Sequence, residues 1–427
     1  MMSRQMKDSG VEWIGEIPYS WEIKKIKNSF CVVSGSTPKT EKQEFWNGSI
    51  PWITPADYKT QDKYVRAGRS YLTEEGLASC GTSIIPVGSV IFSKRAPVGT
   101  VAINSEELCT NQGCLSCVPK QKISSTYFYY AMSIFTEQFE LISSGTTFKE
   151  ISATAFANFS LPFPSFDEQV KIASYLDDKC SDIDIVMAKT RTSIEEYKKL
   201  KQALITQAVT KGIRDNREMK DSGIEWVGEI PCEWNVQRIK TLFSLRDGRN
   251  YRPLEEVNLI SLYTDKGVLQ HCDIEATTGN KASNADGYKL VYENDIVVNI
   301  ILCWMGAIGR SAYNGVTSPA YDVYYPNDKV DSRFYHHYFR TTGFNGDCYK
   351  RGRGIMAMRW RTYSDQFRDI KVVVPPLQEQ EEILDYLDEK CIEMDNLIAK
   401  KEKFLIELEN YKKTLIYEYV IGKKEVQ

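Results

Sequence analysis

Cys109, Cys114 and Cys117 stand in the spacing C-x4-C-x2-C, which opens a plant-type iron–sulfur site. The same residues lie in LCTNQGCLSCV, on and beside an expected strand, where cysteine serves as a small apolar residue. No fourth ligand is signposted. His271, His336 and His337 are the only histidines, a thin supply for a zinc or general-base constellation. Phosphate chemistry lacks its motifs too, because no G-x-x-x-x-G-K-[ST] occurs. The single G-x-G, Gly352 and Gly354, follows a basic run instead of a strand and has Ala357 in place of a third glycine, so it is not a dinucleotide fingerprint. The Asn/Asp-Pro-Pro-aromatic tetrad of an adenine amino-methyltransferase is also missing: Pro375-Pro376 lies between Val374 and Leu377. Glu22-x-Lys24 resembles half of a nuclease metal site, yet its counterpart Glu233 is followed by Trp234 and Asn235. No active site and no resident cofactor follow from these residues.

Cations give the positive signal. KRGRGIMAMRWR, from Lys350 to Arg361, holds five cationic residues and no acidic one, with Trp360 among them. Arginine offers a planar fork that grips phosphate or reads guanine in the major groove, and Gly beside Arg permits close backbone approach. Arg351, Arg353, Arg359 and Arg361 are therefore candidate DNA contacts, against the plainer reading of a solvated loop. In the first half of the chain the counterpart is SSGTTFKEIS, from Ser143 to Ser152, together with Lys94 and Arg95, which adds Lys94, Arg95 and Lys149. Residues 19–160 carry 14 basic and 12 acidic groups, residues 232–371 carry 19 and 16, and residues 372–427 carry 8 and 13. With a net charge of −3, contact with nucleic acid must be confined to faces.

The elements that would carry these residues come in two copies. MKDSGVEWIGEIP at Met6 to Pro18 recurs as MKDSGIEWVGEIP at Met219 to Pro231, with eleven of thirteen residues identical. A Trp and a basic stretch follow each copy, Trp21 to Lys27 and Trp234 to Lys240. Further on, FPSFDEQVKIASYLDDKCSDID from Phe163 to Asp184 matches VPPLQEQEEILDYLDEKCIEMD from Val374 to Asp395. Almost the whole chain is thus an internal duplication. Ser165 and Glu168 have capping-box spacing. Apolar residues then recur at Ile183, Val186, Ile194, Tyr197, Leu204 and Ala208, with 10 acidic and 10 basic residues between Phe166 and Glu218. The second copy repeats the pattern with Met394, Leu397, Phe404, Leu405, Leu408, Leu415 and Tyr419. This heptad-like patterning predicts two helices of about 65–70 Å packed as an antiparallel coiled coil. The segments between them alternate short β-rich runs with Gly, Pro and Asn turns, followed by aromatic helical stretches at Ser125 to Ile142 and Ser332 to Phe344.

Length and composition agree with that plan. The 427 residues allow roughly three domains, and 42% apolar with 26% charged residues excludes disordered, collagen-like or disulfide-scaffold classes. The most apolar stretch, Ile296 to Gly309, spans 14 residues, short of the ~20 that cross a bilayer. The start, MMSRQMKDSGVEW, has no signal-peptide core. A cytoplasmic protein with reduced thiols is expected, with no membrane partner. The fold class expected is mixed α/β: two globular domains separated by two long antiparallel helices, internally duplicated with pseudo-twofold symmetry. The expected division is 1–160, first globular domain with its repeat; 161–218, central long helix; 219–371, second globular domain with its repeat; and 372–427, C-terminal long helix.

SGVEWIGEIPYSW, its copy SGIEWVGEIPCEW, GSTPKTEKQEFWNGSIPWITPADY from Gly35 to Tyr58, TNQG at Thr110 to Gly113 and the paired P-x-x-(D/Q)EQ segments resemble the specificity subunit of a type I restriction–modification system over essentially the full length. The resemblance implies two target recognition domains for double-stranded DNA. It also implies partnership with two methyltransferase subunits and, in the full complex, two translocase–nuclease (restriction) subunits. S-adenosylmethionine would belong to the methyltransferase and ATP with magnesium to the nuclease, leaving this chain non-catalytic. A stand-alone two-domain DNA-binding regulator or a coiled-coil adaptor is the alternative.

Overall fold

The computed structural model describes residues 4–59, 62–95, 97–145, 149–270, 284–354 and 360–426. The chain divides into two compact units, Met1–Thr190 with Lys403–Gln427, and Arg191–Glu402. Each long helix therefore contributes one stretch to each unit.

The first unit is built on a five-stranded sheet in the order Phe30–Ser34, Cys114–Pro119, Val90–Ser93, Val101–Asn104, Tyr64–Val65. The first four strands are mutually antiparallel and the last is parallel to its neighbour. The apolar runs of these strands are buried on both faces: Val90, Phe92 and Leu115 join the aromatic core while Ile91 and Cys114 face a second cluster with Ile53 and Tyr58. Helices Ser125–Ser133 and Thr136–Leu141 supply that core with Tyr127, Phe128 and Phe139. Phe92, Phe139 and Phe156 meet with ring centroids 4.4–5.6 Å apart, a spacing at which tilted rings attract beyond their area of burial.

The second unit repeats this plan. Its four-stranded antiparallel sheet runs Phe243–Leu245, Tyr321–Pro326, Ile296–Asn299, Ile308–Arg310, and helices Ser332–Phe339 and Thr342–Arg351 fill its core with Phe334, Tyr335, Tyr338, Phe339 and Phe344. Both aromatic stretches are helical as expected, and each is broken once. Thr341 leaves helical geometry at ψ 147° and its side chain accepts from Phe344 N, capping a new helix. In the first unit the break falls at Phe135, with φ −99° and ψ 23°. The break also places Lys350 and Arg351 on a helix where a loop was expected.

The long helices are Phe166–Lys211, 46 residues, and Leu377–Val420, 44 residues, about 69 and 66 Å at 1.5 Å per residue. Within each unit their stretches run antiparallel. In the first unit Tyr175 packs on Tyr419 and Asp184 pairs with Lys412 at 2.7 Å; in the second, Lys201 pairs with Asp395 at 2.6 Å and Lys401 lies over Tyr197. Asp184 and Asp395 occupy the same repeat position, as do Lys201 and Lys412. One ion pair thus occurs twice with the helices' roles exchanged. The apolar seam runs through Ile183, Met187, Ile194 and Ile205. Val186 and Phe404, expected in it, are exposed, because the four-residue step from Ile183 to Met187 carries the seam past Val186.

Candidate nucleic-acid interface

Each short repeat is latched to the start of a long helix by the same bonds. Trp21 Nε1 donates to Glu168 Oε1 at 3.1 Å, and Trp234 Nε1 donates to Glu379 Oε2 at 2.9 Å. Both indoles are buried. The expected capping box at Ser165 and Glu168 forms, with the Ser165 hydroxyl donating to Glu168 Oε2 at 3.0 Å and accepting from Glu168 N at 3.4 Å. Arg4 adds an ion pair to Glu168, and Arg217 pairs with Glu379 through both terminal guanidinium nitrogens. Burial raises the Glu168 carboxyl, but the bonds from Trp21, Arg4 and Ser165 outweigh it and hold it below the usual range. The next residue ties in the aromatic helices: Gln169 Oε1 accepts from Ser124 N at 3.0 Å and Gln380 Oε1 from Asp331 N at 2.8 Å, and Ser124 and Asp331 are the N-caps of those helices. The Glu-Gln pair shared by both repeats therefore fixes each domain's core to its helix. Gly212 and Gly422 end the long helices at φ +77° and +76°, where an L side chain is strained; a Cβ on Gly422 would lie 2.5 Å from Pro18 of the short repeat.

On this frame, each unit holds a loop between its second aromatic helix and the next short helix. In the second unit the loop is closed by Arg353 and Arg361, whose backbones exchange hydrogen bonds of 2.8 and 3.0 Å. Trp360 stacks on Tyr349 at 5.0 Å and its Nε1 donates to Tyr349 O at 3.0 Å. Gly352 makes room for that ring, since a Cβ there would stand 2.2 Å from Trp360 Nε1. Arg351 lies 3.6 Å from Asp369, and Lys350 pairs with Glu225 at 2.5 Å. Arg359 lies outside the described residues. In the first unit Ser144 and Glu150 close the matching loop with bonds of 3.0 and 2.9 Å. Glu150 gathers Lys94 at 2.8 Å and Arg95 at 3.6 Å, and Lys149 lies 3.7 Å from Glu140. The Lys94 hydrogen bond holds the Glu150 carboxyl below its ordinary range. Those of the sequence-derived residues that are described thus gather at one place in each unit, with their charge partly met by carboxylates that the sequence reading did not assign.

Sequence reasoning missed another group. In the second unit Asp369 receives Arg238 and, at 3.1 Å, Lys240 in addition to Arg351. Lys371 stands opposite Arg238 in the antiparallel ladder. The repeat offset places Lys25 and Lys27 at the corresponding positions of the first unit, where Lys120 Nζ donates to Lys27 O at 2.8 Å. The available signal was the basic stretch behind each Trp.

The other candidate chemistry resolves into packing. Cys114 and Cys117 lie three residues apart on one strand, so they face opposite sides, and Cys109, Cys114 and Cys117 fall into three different apolar clusters. Burial pushes the Cys109 thiol up to about 11 and the Cys114 thiol up to about 12. Among the described residues no three His, Cys, Asp or Glu gather as a metal site. His336 and His337 are partly buried, and desolvation first, then neighbouring cations, lowers them to about 3 and about 4, although Asp388 works the other way on His337. Glu22 and Lys24 pair with each other at 2.7 Å. No described helix is long and apolar enough to cross a membrane.

The family model described as the type I restriction modification DNA specificity domain matches residues 18–196 and 231–409. The chain is 35% identical over 240 residues to the type I restriction enzyme MjaIX specificity subunit of Methanocaldococcus jannaschii, covering 56% of this chain and 55% of that protein. It is 26% identical over 441 residues to the putative type I restriction enzyme MjaX specificity subunit of the same organism, covering 97% and 96%. Two solved structures share the fold. One concerns complex assembly and conformational transition of the type I R-M system (TM-score 0.71, 12% identity, 96% of this chain and 99% of that chain). The other is the HsdS subunit from Thermoanaerobacter tengcongensis (TM-score 0.54, 13% identity, 96% and 98%).

Proposed function

Because the chain belongs to the type I restriction modification DNA specificity family, we propose that it is the sequence-reading subunit of such a complex, reading a split, asymmetric DNA site with one recognition domain per half. The observation that carries this is the duplication: two copies of one core, latched identically to the long helices, present loops of different composition at the same place. Identical frames with different loops suit two different half-sites. Residues 1–160 and 219–371 are read as the recognition domains and residues 161–218 and 372–427 as the spacer between them. The frame would also seat two methyltransferase subunits and, in the full complex, the restriction subunits. Methyl transfer and cleavage belong to those partners, in the cytoplasm with the DNA, and this chain takes no part in bond chemistry.

The test is binding by the complex reconstituted with methyltransferase subunits to duplexes that vary one base at a time, at two salt concentrations. Replacing Arg351, Arg353, Arg359 or Arg361 by Ala is expected to act only through the half-site of the second domain, and Lys94, Arg95 or Lys149 only through the other. An arginine bidentate to guanine costs about 1–3 kcal/mol and relaxes one base position, whereas a phosphate contact weakens all sequences alike and lowers the salt slope by about one. Equal effects on both halves, or none, would remove these residues from the interface.

A further inference from the structure

Resting on that DNA-reading assignment, we propose that the basic stretch behind each short repeat is a clamp for the phosphates of double-stranded DNA, formed by Lys25, Lys27 and Lys120 in the first unit and by Arg238, Lys240 and Lys371 in the second. All six side chains are exposed. In the second unit, Arg238, Lys240 and Arg351 share a single carboxylate, Asp369, while Lys371, directly across the ladder from Arg238, has no ion pair among the described residues. In the first unit the position of Asp369 is held by Asn158. Each residue caps the short helix ahead of the last strand, but Asn158 spends its amide on Thr154 O at 2.8 Å and brings no charge. Lys25, Lys27 and Lys120 accordingly pair with no carboxylate among the described residues, and Lys120 is drawn to the Lys27 carbonyl.

Like charges gathered on neighbouring stretches of backbone repel one another, and a polyanion relieves the repulsion by exchanging its condensed counterions for them. Both copies of the repeat keep an excess of positive charge, in the second unit offset in part by the one carboxylate of Asp369 and in the first by no paired carboxylate among the described residues. In the second unit the cluster also adjoins the candidate reading loop, because Arg351, two residues before the stem at Arg353, shares Asp369 with Arg238. Five of the six residues are lysines, point-charge donors suited to phosphate with none of the fork geometry that reads a base edge, and the one arginine, Arg238, has its fork engaged by Asp369. The clamp therefore sets affinity and register without setting sequence.

The experiment uses the complex reconstituted with methyltransferase subunits, a duplex containing its methylation site and a duplex lacking it, titrated between about 50 and 200 mM salt. Combined Lys25→Gln, Lys27→Gln and Lys120→Gln replacements should lower the salt slope by about 0.9 per lost contact, which is about 3.5-fold in affinity per contact over that range, equally on both duplexes and with base preference unchanged. Two milder variants move in opposite directions: Asn158→Asp should weaken binding and Asp369→Asn should strengthen it, both fading at high salt. Salt slopes equal to wild type in an intact complex would overturn the clamp, as would loss of the methyltransferase subunit on gel filtration, which would assign these cations to a protein partner. A wild-type complex that binds both duplexes equally would overturn the sequence-reading assignment, and the salt slope would still judge the clamp by itself.

Discussion

The latch glutamates show how one motif can carry different weight in two places. Glu379 is 3% exposed in its side chain and holds Arg217 and the Trp234 indole, whereas Glu168 is 32% exposed. Removing one partner of a buried ion pair leaves the other charge stranded, at about 3–5 kcal/mol, while a half-exposed group can be rehydrated. Glu379→Ala should therefore cost about 3–5 kcal/mol in denaturant unfolding and Glu168→Ala about 1–3 kcal/mol, and equal costs would refute the latch asymmetry. Histidines differ between the units as well. His336 and His337 stay neutral in the fold, with values near 3 and 4 against an ordinary 6.5. Protonation below pH 6.5 thus favours the unfolded chain: the stability is complete above about 6.5 and falls as pH drops toward those lower values. At about pH 5 the loss is about 2 kcal/mol per histidine. The first unit holds no histidine, so hydrogen exchange should show the acid loss in the second unit, and equal loss in both would contradict it. The sequence showed the repeated Trp and Glu but not their bond, because 147 residues separate Trp21 from Glu168 and no local pattern joins them.

At the scale of elements, charge and apolar periodicity made the long helices legible, because one amphipathic stripe sustained over some twelve turns has few other solutions. The breaks at Phe135 and Thr341 were hidden, since the aromatic residues on both sides suit one continuous helix and only the cap at Thr341 distinguishes two. The ion pairs Asp184–Lys412 and Lys201–Asp395 bracket the middle of both helices. Lengthening the spacer by one heptad must therefore be done in both, between Ser193 and Ile194 and between Glu402 and Lys403, so that both pairs survive. Seven residues add about 10.5 Å, close to 3 base pairs at 3.4 Å each. The methylation motif of that variant should keep both half-sites and gain about three base pairs between them; an unchanged gap would refute the helices as the ruler.

At the scale of the whole molecule, the duplication was written in the sequence, whereas the way it closes was not. The end of the C-terminal helix packs on the first short repeat, where the Tyr127 hydroxyl donates to Val420 O at 2.9 Å and Gly422 abuts Pro18. No window of sequence announces a contact between residues about 290 positions apart. That closure gives each recognition domain the same seat, made from the start of one long helix and the end of the other, and it makes two-part reading the central claim. The most direct measurement is methylome sequencing of cells carrying the methyltransferase subunit with and without this chain. A split motif, methylated on adenine in both halves and present only with the chain, is the expected result. A continuous motif, or a motif unchanged when the chain is absent, would contradict it.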